Sequence, residues 1–426
     1  MRIIVLVLLT VSAQSLLHSP LLRRFGPLDV GKRSSSSAIF NFQGVQFYGE
    51  ITVGTPGQKI PALFDTGSYD TWMPATSYCS TISCHSGGYQ SGDSSTSAVT
   101  TDPFEVLYLS SSVSGNYVKD TISIGSLHSV QPIAMGVVQG KSGFPSQHAF
   151  DGLVGMGPNS SVLHSLLDLA VSDATGERRM FSMYLSDDTS GSLTLGGYDE
   201  THLAGDNSSQ LVWLESYSTN SAWALPYWIL PSAAIEFGGE KLSSAAVVVD
   251  SGSSFIIGPQ KDVQRIYALA EFVDYDSGAI ECWRVKSLPN IVVTIQGHRF
   301  ELRPEQYCYR GTDKFTCYIG ISPNNDALWI LGDTFMVNYL SVFSFEDPNT
   351  PKDASRPATL SRAVGNREVR HWIGLGPVSP ARTDDFPAPT WFNSILFFRI
   401  VVIAIVCVIG FAFVFVGRLL IRRFRR

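Results

Sequence analysis

Residues 62–68 read Ala-Leu-Phe-Asp-Thr-Gly-Ser, and residues 247–253 repeat the pattern as Val-Val-Val-Asp-Ser-Gly-Ser. In each copy, three apolar residues predict a buried strand that ends at an Asp, and the following Gly permits a tight turn there. The two Asp residues, Asp65 and Asp250, are 185 positions apart. We infer that the chain has two similar halves, each of which contributes one carboxylate.

A second signal repeats downstream of each copy. Residues 153–155 read Leu-Val-Gly in the first half, and residues 330–332 read Ile-Leu-Gly in the second. A further Asp-Ser-Gly triplet at residues 276–278 lies in a polar stretch without apolar leaders, so we interpret it as an ordinary turn. Matched leaders and matched downstream glycines therefore favour residues 62–68 and 247–253 as the functional pair.

Two carboxylates held close together cannot both ionise easily, because like charges split their titration. A pair that shares one proton has an acid and a base side by side. One carboxylate can take a proton from water while the other donates to a carbonyl oxygen, which is general acid-base hydrolysis of an amide. The hydroxyls of Thr66 and Ser251 follow the two Asp residues and could lock the two loops together.

The sequence resembles the pepsin-like aspartic proteases over about residues 45–378. Beyond the two Asp motifs, the resemblance rests on residues 48–56 (Tyr-Gly-Glu-Ile-Thr-Val-Gly-Thr-Pro), 72–74 (Trp-Met-Pro), 150–155 (Phe-Asp-Gly-Leu-Val-Gly), 330–333 (Ile-Leu-Gly-Asp) and 373–375 (Ile-Gly-Leu). It implies an all-β fold of two β-rich lobes with a substrate cleft between them. It also implies a zymogen and the hydrolysis of protein or peptide substrates at acidic pH. Asp65 and Asp250 would be catalytic, and their loops would be supported by Thr66, Gly67, Ser68, Ser251, Gly252 and Ser253.

The same resemblance assigns roles to several other residues. It places Tyr108 at the tip of a hairpin flap over the cleft, partnered by Trp72, although residues 104–108 alone predict only a strand. It pairs Cys79 with Cys84 and Cys282 with Cys317, which leaves Cys308 over.

Two departures from the family pattern limit what the resemblance can transfer. Leu109-Ser110-Ser111 follows Tyr108 where the family has glycines, so we expect a stiffer flap and a narrower pocket. Tyr69 replaces a small residue, and we expect this change to cost the first carboxylate a hydrogen bond and to raise its pKa.

The two ends of the chain carry targeting signals. Residues 1–13 predict a signal peptide, with a buried strand as the alternative. Residues 14–43 are interpreted as a basic, removable pro-segment whose C-terminal limit the sequence does not define, with a disordered arm as the alternative. Residues 395–417 are apolar enough to predict a transmembrane helix in contact with membrane lipid, with a buried core helix as the alternative. The five arginines of residues 418–426 then predict a cytoplasmic tail and a type I topology.

Between these ends we expect an N-terminal lobe over residues 44–215 and a C-terminal lobe over 216–378, with an insertion at 347–369. Residues 379–394 are rich in proline and polar residues, and we interpret them as a stalk between body and membrane. The signals together place the body in the lumen of the secretory or endosomal pathway or at the cell surface. If the chain is secreted, Asn159 and Asn207 are glycosylation sequons.

Composition excludes several function classes. The chain has 426 residues and a formal charge of −6, but residues 34–394 hold 20 Lys and Arg against 36 Asp and Glu. Such a body repels phosphate backbones, so we expect no nucleic-acid partner. Zinc-binding spacings of Cys and His are absent from the sequence, so we expect no metal and no cofactor. We expect a monomer.

Two other functions compete with an active aspartic protease. One is a catalytically inactive pepsin-like binding protein, although Asp65, Gly67, Asp250 and Gly252 are all present. The other is a serine hydrolase built on Gly92-Asp93-Ser94. Ser-Thr follows Ser94 where a nucleophile motif needs Gly, so a turn in a Ser-rich loop is the better interpretation.

Overall fold

The computed structural model describes residues 35–42, 46–82, 84–108, 111–142, 149–171, 178–186, 190–218, 227–271, 273–274, 277–311, 315–349 and 369–379. No helix among these residues is long and apolar enough to cross a membrane. The predicted signal peptide (1–13), transmembrane helix (395–417) and tail (418–426) lie outside the described residues. The stalk (379–394) and the insertion (347–369) lie outside them too, except at residues 379, 347–349 and 369.

The described part of the chain is mostly β. Its strands are β1 (Ser35–Phe42), β2 (Gln46–Val53), β3 (Gln58–Asp65), β4 (Trp72–Pro74), β5 (Ala98–Leu107), β6 (Ser112–Asp120), β7 (Ile122–Ile124), β8 (Leu127–His128), β9 (Ile133–Ser142), β10 (Gly152–Gly155), β11 (Met180–Tyr184), β12 (Ser190–Leu195), β13 (Val212–Ser218), β14 (Ile229–Phe237), β15 (Glu240–Val249), β16 (Ile256–Pro259), β17 (Ala279–Glu281), β18 (Ile291–Ile295), β19 (His298–Leu302), β20 (Cys308–Arg310), β21 (Thr316–Ile319), β22 (Ile321–Asn324), β23 (Trp329–Leu331), β24 (Tyr339–Ser344) and β25 (Val369–Pro377).

Helices are short and few in the described residues. They are α1 (Thr76–Ile82), α2 (Ser161–Ala170), α3 (Gln260–Leu269), α4 (Pro304–Tyr307) and α5 (Asp333–Met336), with four 3₁₀ turns at Ser91–Asp93, Glu200–His202, Ser208–Gln210 and Cys282–Ser287. α2 begins after Ser160, whose side chain accepts a hydrogen bond from the Leu163 N–H, and its buried leucines face the core.

The first Asp motif lies in a 15-stranded sheet whose main path runs β13-β25-β24-β11-β12-β1-β2-β3-β10-β4-β9-β6-β5. Asp65 is the last residue of β3. β10 runs parallel to β3, with Gly155 opposite Asp65. Residues 62–65 of β3 and all of β10 are buried, as expected for neighbours in a parallel pair. The two sequence signals of the first half are therefore adjacent strands.

The second Asp motif has the same local arrangement in a separate seven-stranded sheet, in the order β19-β18-β14-β15-β23-β16-β22. β15 leads to Asp250, and β23 runs parallel to it with Leu331 opposite Val249. β16 pairs antiparallel to β23, as β4 pairs antiparallel to β10 in the first half. The internal repeat in the sequence is thus a repeat in the structure.

β1 lies inside the segment 14–43 that the sequence marked as removable. Its residues pair with β12 on one side and with β2 on the other. In the full-length chain, residues 35–42 thus form an interior strand of the sheet.

The apolar core runs through both sheets. Its largest fully buried side chains are Trp72, Trp228, Trp329, Tyr89, Tyr307, Phe47, Phe64, Phe104, Phe150, Phe181, Phe237 and Phe335. Burial of this much aromatic surface is a dominant favourable term in folding.

Candidate active site

Asp65 and Asp250 lie together although 185 residues separate them in the sequence. The Gly67 N–H contributes to the electrostatic environment of the Asp250 carboxyl, and a Cβ added at Gly67 would lie 2.4 Å from that carboxyl group. Only glycine therefore allows the first loop to approach the second carboxylate this closely.

The two carboxylates have matching hydrogen bonds. The Gly67 N–H donates to Asp65 Oδ1 at 2.8 Å, and the Gly252 N–H donates to Asp250 Oδ1 at 2.8 Å. Ser253 Oγ donates to Asp250 Oδ2 at 2.7 Å, and Ser68 Oγ donates to Asp65 Oδ2. Four donors thus fix both side chains without neutralising them.

The hydroxyls of Thr66 and Ser251 join the two loops. The Ser251 N–H donates to Thr66 Oγ1 at 2.9 Å, and the Thr66 N–H donates to Ser251 Oγ at 3.1 Å. Each hydroxyl in turn donates to the strand of the other half: Thr66 Oγ1 to the Val249 carbonyl at 2.9 Å, and Ser251 Oγ to the Phe64 carbonyl at 2.7 Å. All of these groups are buried, so each of the four hydrogen bonds replaces a hydrogen bond with water. We call these four bonds the lock between the two halves.

Burial and mutual repulsion shape the titration of the pair. Burial raises the pKa of Asp65 well above its usual range, and the neighbouring Asp250 charge raises it further, against the lowering effect of Ser68 and Gly67. Burial also raises the pKa of Asp250, against the hydrogen bonds from Ser253 and Gly252. The two carboxyl groups titrate as a pair, and the pair keeps one proton at pH values above the usual pKa of an aspartate.

The expectation about Tyr69 was wrong in its premise. The hydroxyl that supports the first carboxylate belongs to Ser68, and Ser68 donates to Asp65. A bulky residue at position 69 does not remove that bond. The raised pKa of Asp65 has burial as its first cause.

Tyr108 lies at the turn of a hairpin formed by β5 and β6. Its N–H donates to the Ser111 carbonyl at 2.8 Å, and the side chain is buried. The Trp72 Nε1–H donates to Tyr108 Oη at 2.6 Å, as the resemblance implied. Burial raises the pKa of Tyr108 well above its usual range, and the Asp65 charge raises it further, so the phenol stays neutral.

An apolar cluster of residues from the hairpin and from both halves contains Tyr108 and Trp72. Its other buried members are Leu63, Phe104, Val106, Val113, Val138, Phe150, Leu153, Tyr227, Val248, Ile257 and Ile330. The position of Tyr227 in this cluster could not be predicted, because an isolated aromatic residue outside any motif carries no signal of its location.

The structure contains both expected disulfides, Cys79–Cys84 and Cys282–Cys317, and a buried free thiol at Cys308. Asn159 and Asn207 both lie at exposed positions, and Asn207 caps a 3₁₀ turn by accepting a hydrogen bond from the Ser209 N–H.

Ser94 has structural partners. Its Oγ accepts a hydrogen bond from the Thr55 N–H at 3.0 Å and lies 3.2 Å from Thr96 Oγ1. These contacts leave Ser94 in a network of Ser, Thr and Asp side chains around Asp120, which does not support the serine-hydrolase alternative. In the described part of the chain, no group of three or more His, Cys, Asp or Glu side chains could hold a metal ion.

Comparison with known proteins identifies relatives over most of the chain. The profile of the family described as eukaryotic aspartyl protease matches residues 46–350. Cathepsin E-B of Xenopus laevis is 31% identical over 332 residues, which cover 73% of this chain and 80% of the relative. Pepsin II-2/3 of Oryctolagus cuniculus is 30% identical over 337 residues, covering 75% and 84%. Cathepsin D of Dictyostelium discoideum is 30% identical over 323 residues, covering 72% and 82%.

Proposed function

The chain belongs to the eukaryotic aspartyl proteases and is an aspartic-type endopeptidase, and from that premise we propose that Asp65 and Asp250 form its catalytic dyad. The observation that carries this proposal is the pairing of two buried carboxylates, each held by a glycine N–H and a serine hydroxyl. Protein or peptide chains are the substrates of such a site.

The reaction follows from the shared proton. With one proton on the pair, the ionised carboxylate takes a proton from a water molecule, and the water oxygen attacks the scissile carbonyl carbon. The protonated carboxyl donates to the carbonyl oxygen, which gives a tetrahedral diol. When the C–N bond breaks, the carboxyl that took the water proton gives it to the leaving amine, and the other carboxylate takes a proton from a hydroxyl of the diol, so the products are a carboxylic acid and an amine and the dyad again holds one proton. No covalent bond to the enzyme forms.

In this proposal the hairpin of β5 and β6 is the substrate-covering flap, with Tyr108 at its turn and Trp72, on β4, as the partner of Tyr108. Their mutual hydrogen bond fixes the phenol over the site, and the apolar cluster around it favours substrates with apolar side chains next to the scissile bond. Support for a working pH in the acid range comes from the need for one proton on the dyad, since above its raised pKa both carboxylates ionise.

We also propose the segment assignments that the sequence suggested. A signal peptide at 1–13 and an anchor at 395–417 would make the enzyme a type I membrane protein with a luminal or extracellular body. The pairing of β1 with β12 and β2 is a reason to end the removable pro-segment before Ser35.

The test uses the full chain, expressed in a eukaryotic secretory host and purified in mild detergent. A mixed peptide library is offered across about pH 3–7 to the wild type and to Asp65→Asn and Asp250→Asn, with and without a statine-type transition-state analogue. We expect cleavage that both variants and the analogue abolish. Cleavage that survives in either variant would contradict the dyad, and a folded, processed wild type that cuts nothing and binds no analogue would favour an inactive binding protein.

A further inference from the structure

Lys141, near the C-terminal end of β9, is a charged residue beside the flap pair. Its Nζ lies 4.9 Å from the centroid of the Trp72 ring and donates to the Asp151 carbonyl oxygen at 3.2 Å. Burial lowers the pKa of Lys141 to about 8, with the Asp151 charge acting in the opposite direction. The ammonium is therefore protonated throughout the acid range in which the dyad holds its proton.

The carboxylate of Asp151 is engaged by another loop. It accepts hydrogen bonds from the His85 N–H at 2.9 Å, from the Ser86 N–H at 2.6 Å and from Ser86 Oγ at 2.6 Å, and His85 Nδ1 lies at 3.2 Å. Lys141 Nζ donates to the main-chain oxygen of Asp151. The same ammonium group lies over the indole face of Trp72.

A cation over an indole ring is attracted to the π-electrons of the ring. It also draws electron density from the ring, which makes the indole N–H a stronger donor. That N–H is the group that donates to Tyr108 Oη at 2.6 Å. Because hydrogen bonds in a low-dielectric interior polarise one another, a stronger bond from Trp72 also makes the phenol O–H a better donor to whatever lies beneath it.

The strand that carries Lys141 is joined to the flap itself. β9 pairs with β6, the return strand of the hairpin, and Lys141 lies opposite Val113 in that pair. The Lys141 N–H donates to Tyr78 Oη at 2.9 Å, which anchors this end of the strand to α1. The cation is therefore held at a fixed place relative to both Trp72 and the hairpin.

We propose that Lys141 is a positioning residue for the flap: its ammonium group acts through the Trp72 indole to hold Tyr108 over the dyad. This inference rests on the proposed protease function. It assigns Lys141 no contact with substrate, so its whole effect on catalysis passes through Tyr108.

A double-mutant cycle tests that route. The full chain is compared as wild type, Lys141→Met, Tyr108→Phe and the double variant, with active sites counted by titration with the transition-state analogue. Lys141→Met keeps an apolar stem of similar length and removes the charge. We expect it to lower kcat/KM about tenfold in the wild-type background and less than about twofold in the Tyr108→Phe background. Lys141→Arg, which keeps a cation over the ring, should stay within about threefold of wild type.

The controls distinguish a specific effect of Lys141 from a general loss of stability. They also distinguish failure of this inference from failure of the proposed protease function. Lys241→Met removes an exposed lysine from β15 and should leave kcat/KM unchanged. If Lys141→Met yields no folded protein, Lys141→Gln takes its place in the cycle. Equal losses in both backgrounds, or no loss in the wild-type background, would overturn the role of Lys141. A wild type that cleaves nothing would instead contradict the protease function.

Discussion

Thr66 and Ser251 bind each other across the two halves of the chain: the Ser251 N–H donates to Thr66 Oγ1 at 2.9 Å, and the Thr66 N–H donates to Ser251 Oγ at 3.1 Å. The two residues directly follow Asp65 and Asp250. This lock therefore fixes the distance between the carboxylates as well as the contact between the halves.

Loss of one hydroxyl should break the lock. In Ser251→Ala, the buried Thr66 N–H and the Phe64 carbonyl each lose a partner. Two buried groups without partners cost about 2–5 kcal/mol of unfolding free energy. We expect a lower Tm and a lower kcat/KM, measured by calorimetry and by peptide cleavage on the same preparation. Ser277→Ala changes an exposed turn serine and is the matched control. An unchanged Tm in Ser251→Ala would show that the lock does not stabilise the fold.

The dyad should make the protein less stable as the pH rises. The folded-state pKa of Asp65 is raised, so between the usual aspartate range and that raised pKa the unfolded chain releases a proton that the folded protein keeps. The protonated Asp65 therefore contributes its full share of the unfolding free energy below about pH 4, and this contribution is lost as the pH rises through the folded-state pKa of Asp65. Asp65→Asn removes this loss.

Between pH 4 and pH 7, the Tm of Asp65→Asn minus the wild-type Tm should increase with pH, while the exposed Asp206→Asn should follow the wild type. Parallel curves for wild type and Asp65→Asn would refute a raised folded-state pKa at this site.

His371 should limit stability at the acid end. It is 5% exposed, between the rings of Trp228 and Phe345, and burial lowers its pKa to about 4, with His164 as a second cause. Arg179, which binds Asp168 and lies 2.8 Å from His164, adds a cation to the same cluster, and the Glu346 charge acts on Arg179 there.

The sign of the effect follows from the lowered pKa. Neutral His371 contributes stability fully above about pH 6.5, and as the pH falls towards 4 the unfolded chain takes a proton that the folded protein excludes. We expect a loss of about 3 kcal/mol over that window, which His371→Gln should abolish in denaturant unfolding curves. His298→Gln, at an exposed position, should retain the wild-type dependence. A His371→Gln variant that is as acid-sensitive as the wild type would exclude His371 as the cause.

The two disulfides should differ in their contribution to stability. Cys282 and Cys317 are 35 residues apart, whereas Cys79 and Cys84 are 5 apart. In the chain-entropy account, closing the longer loop restricts the unfolded chain by about 4 kcal/mol and closing the shorter loop by about 2 kcal/mol. Replacing each pair with Ala should lower the unfolding free energy in that order, as measured in denaturant. A larger loss from the shorter loop would contradict the entropic explanation.

Local patterns in the sequence predicted much of this structure. The apolar leaders of both Asp motifs predicted the buried strand ends that the structure has before Asp65 and Asp250. The paired motifs also predicted that Asp65 and Asp250 would meet, because a repeated strand-and-turn unit brings equivalent residues to equivalent places.

Features that depend on contacts between distant segments could not be predicted in this way. The composition of β1 does not reveal that it pairs with β12, about 150 residues downstream. Ser68 was expected to support the first loop, but the hydrogen bond to Asp65 was assigned to position 69, because side-chain direction within a turn is not encoded in residue type. Lys141 was not identified, since its location over Trp72 requires that β9 lie beside both β4 and β6.

The pH dependence of kcat/KM for one cleaved peptide tests the central claim most directly. If Asp65 and Asp250 share one catalytic proton, the wild-type profile is bell-shaped, with one limb for gaining a second proton and one for losing the shared proton. We predict this profile for the full chain and the loss of at least about 10³-fold in activity at every pH in Asp250→Asn. A single-limbed wild-type profile, or a bell that survives in Asp250→Asn, would contradict a shared proton between these two residues.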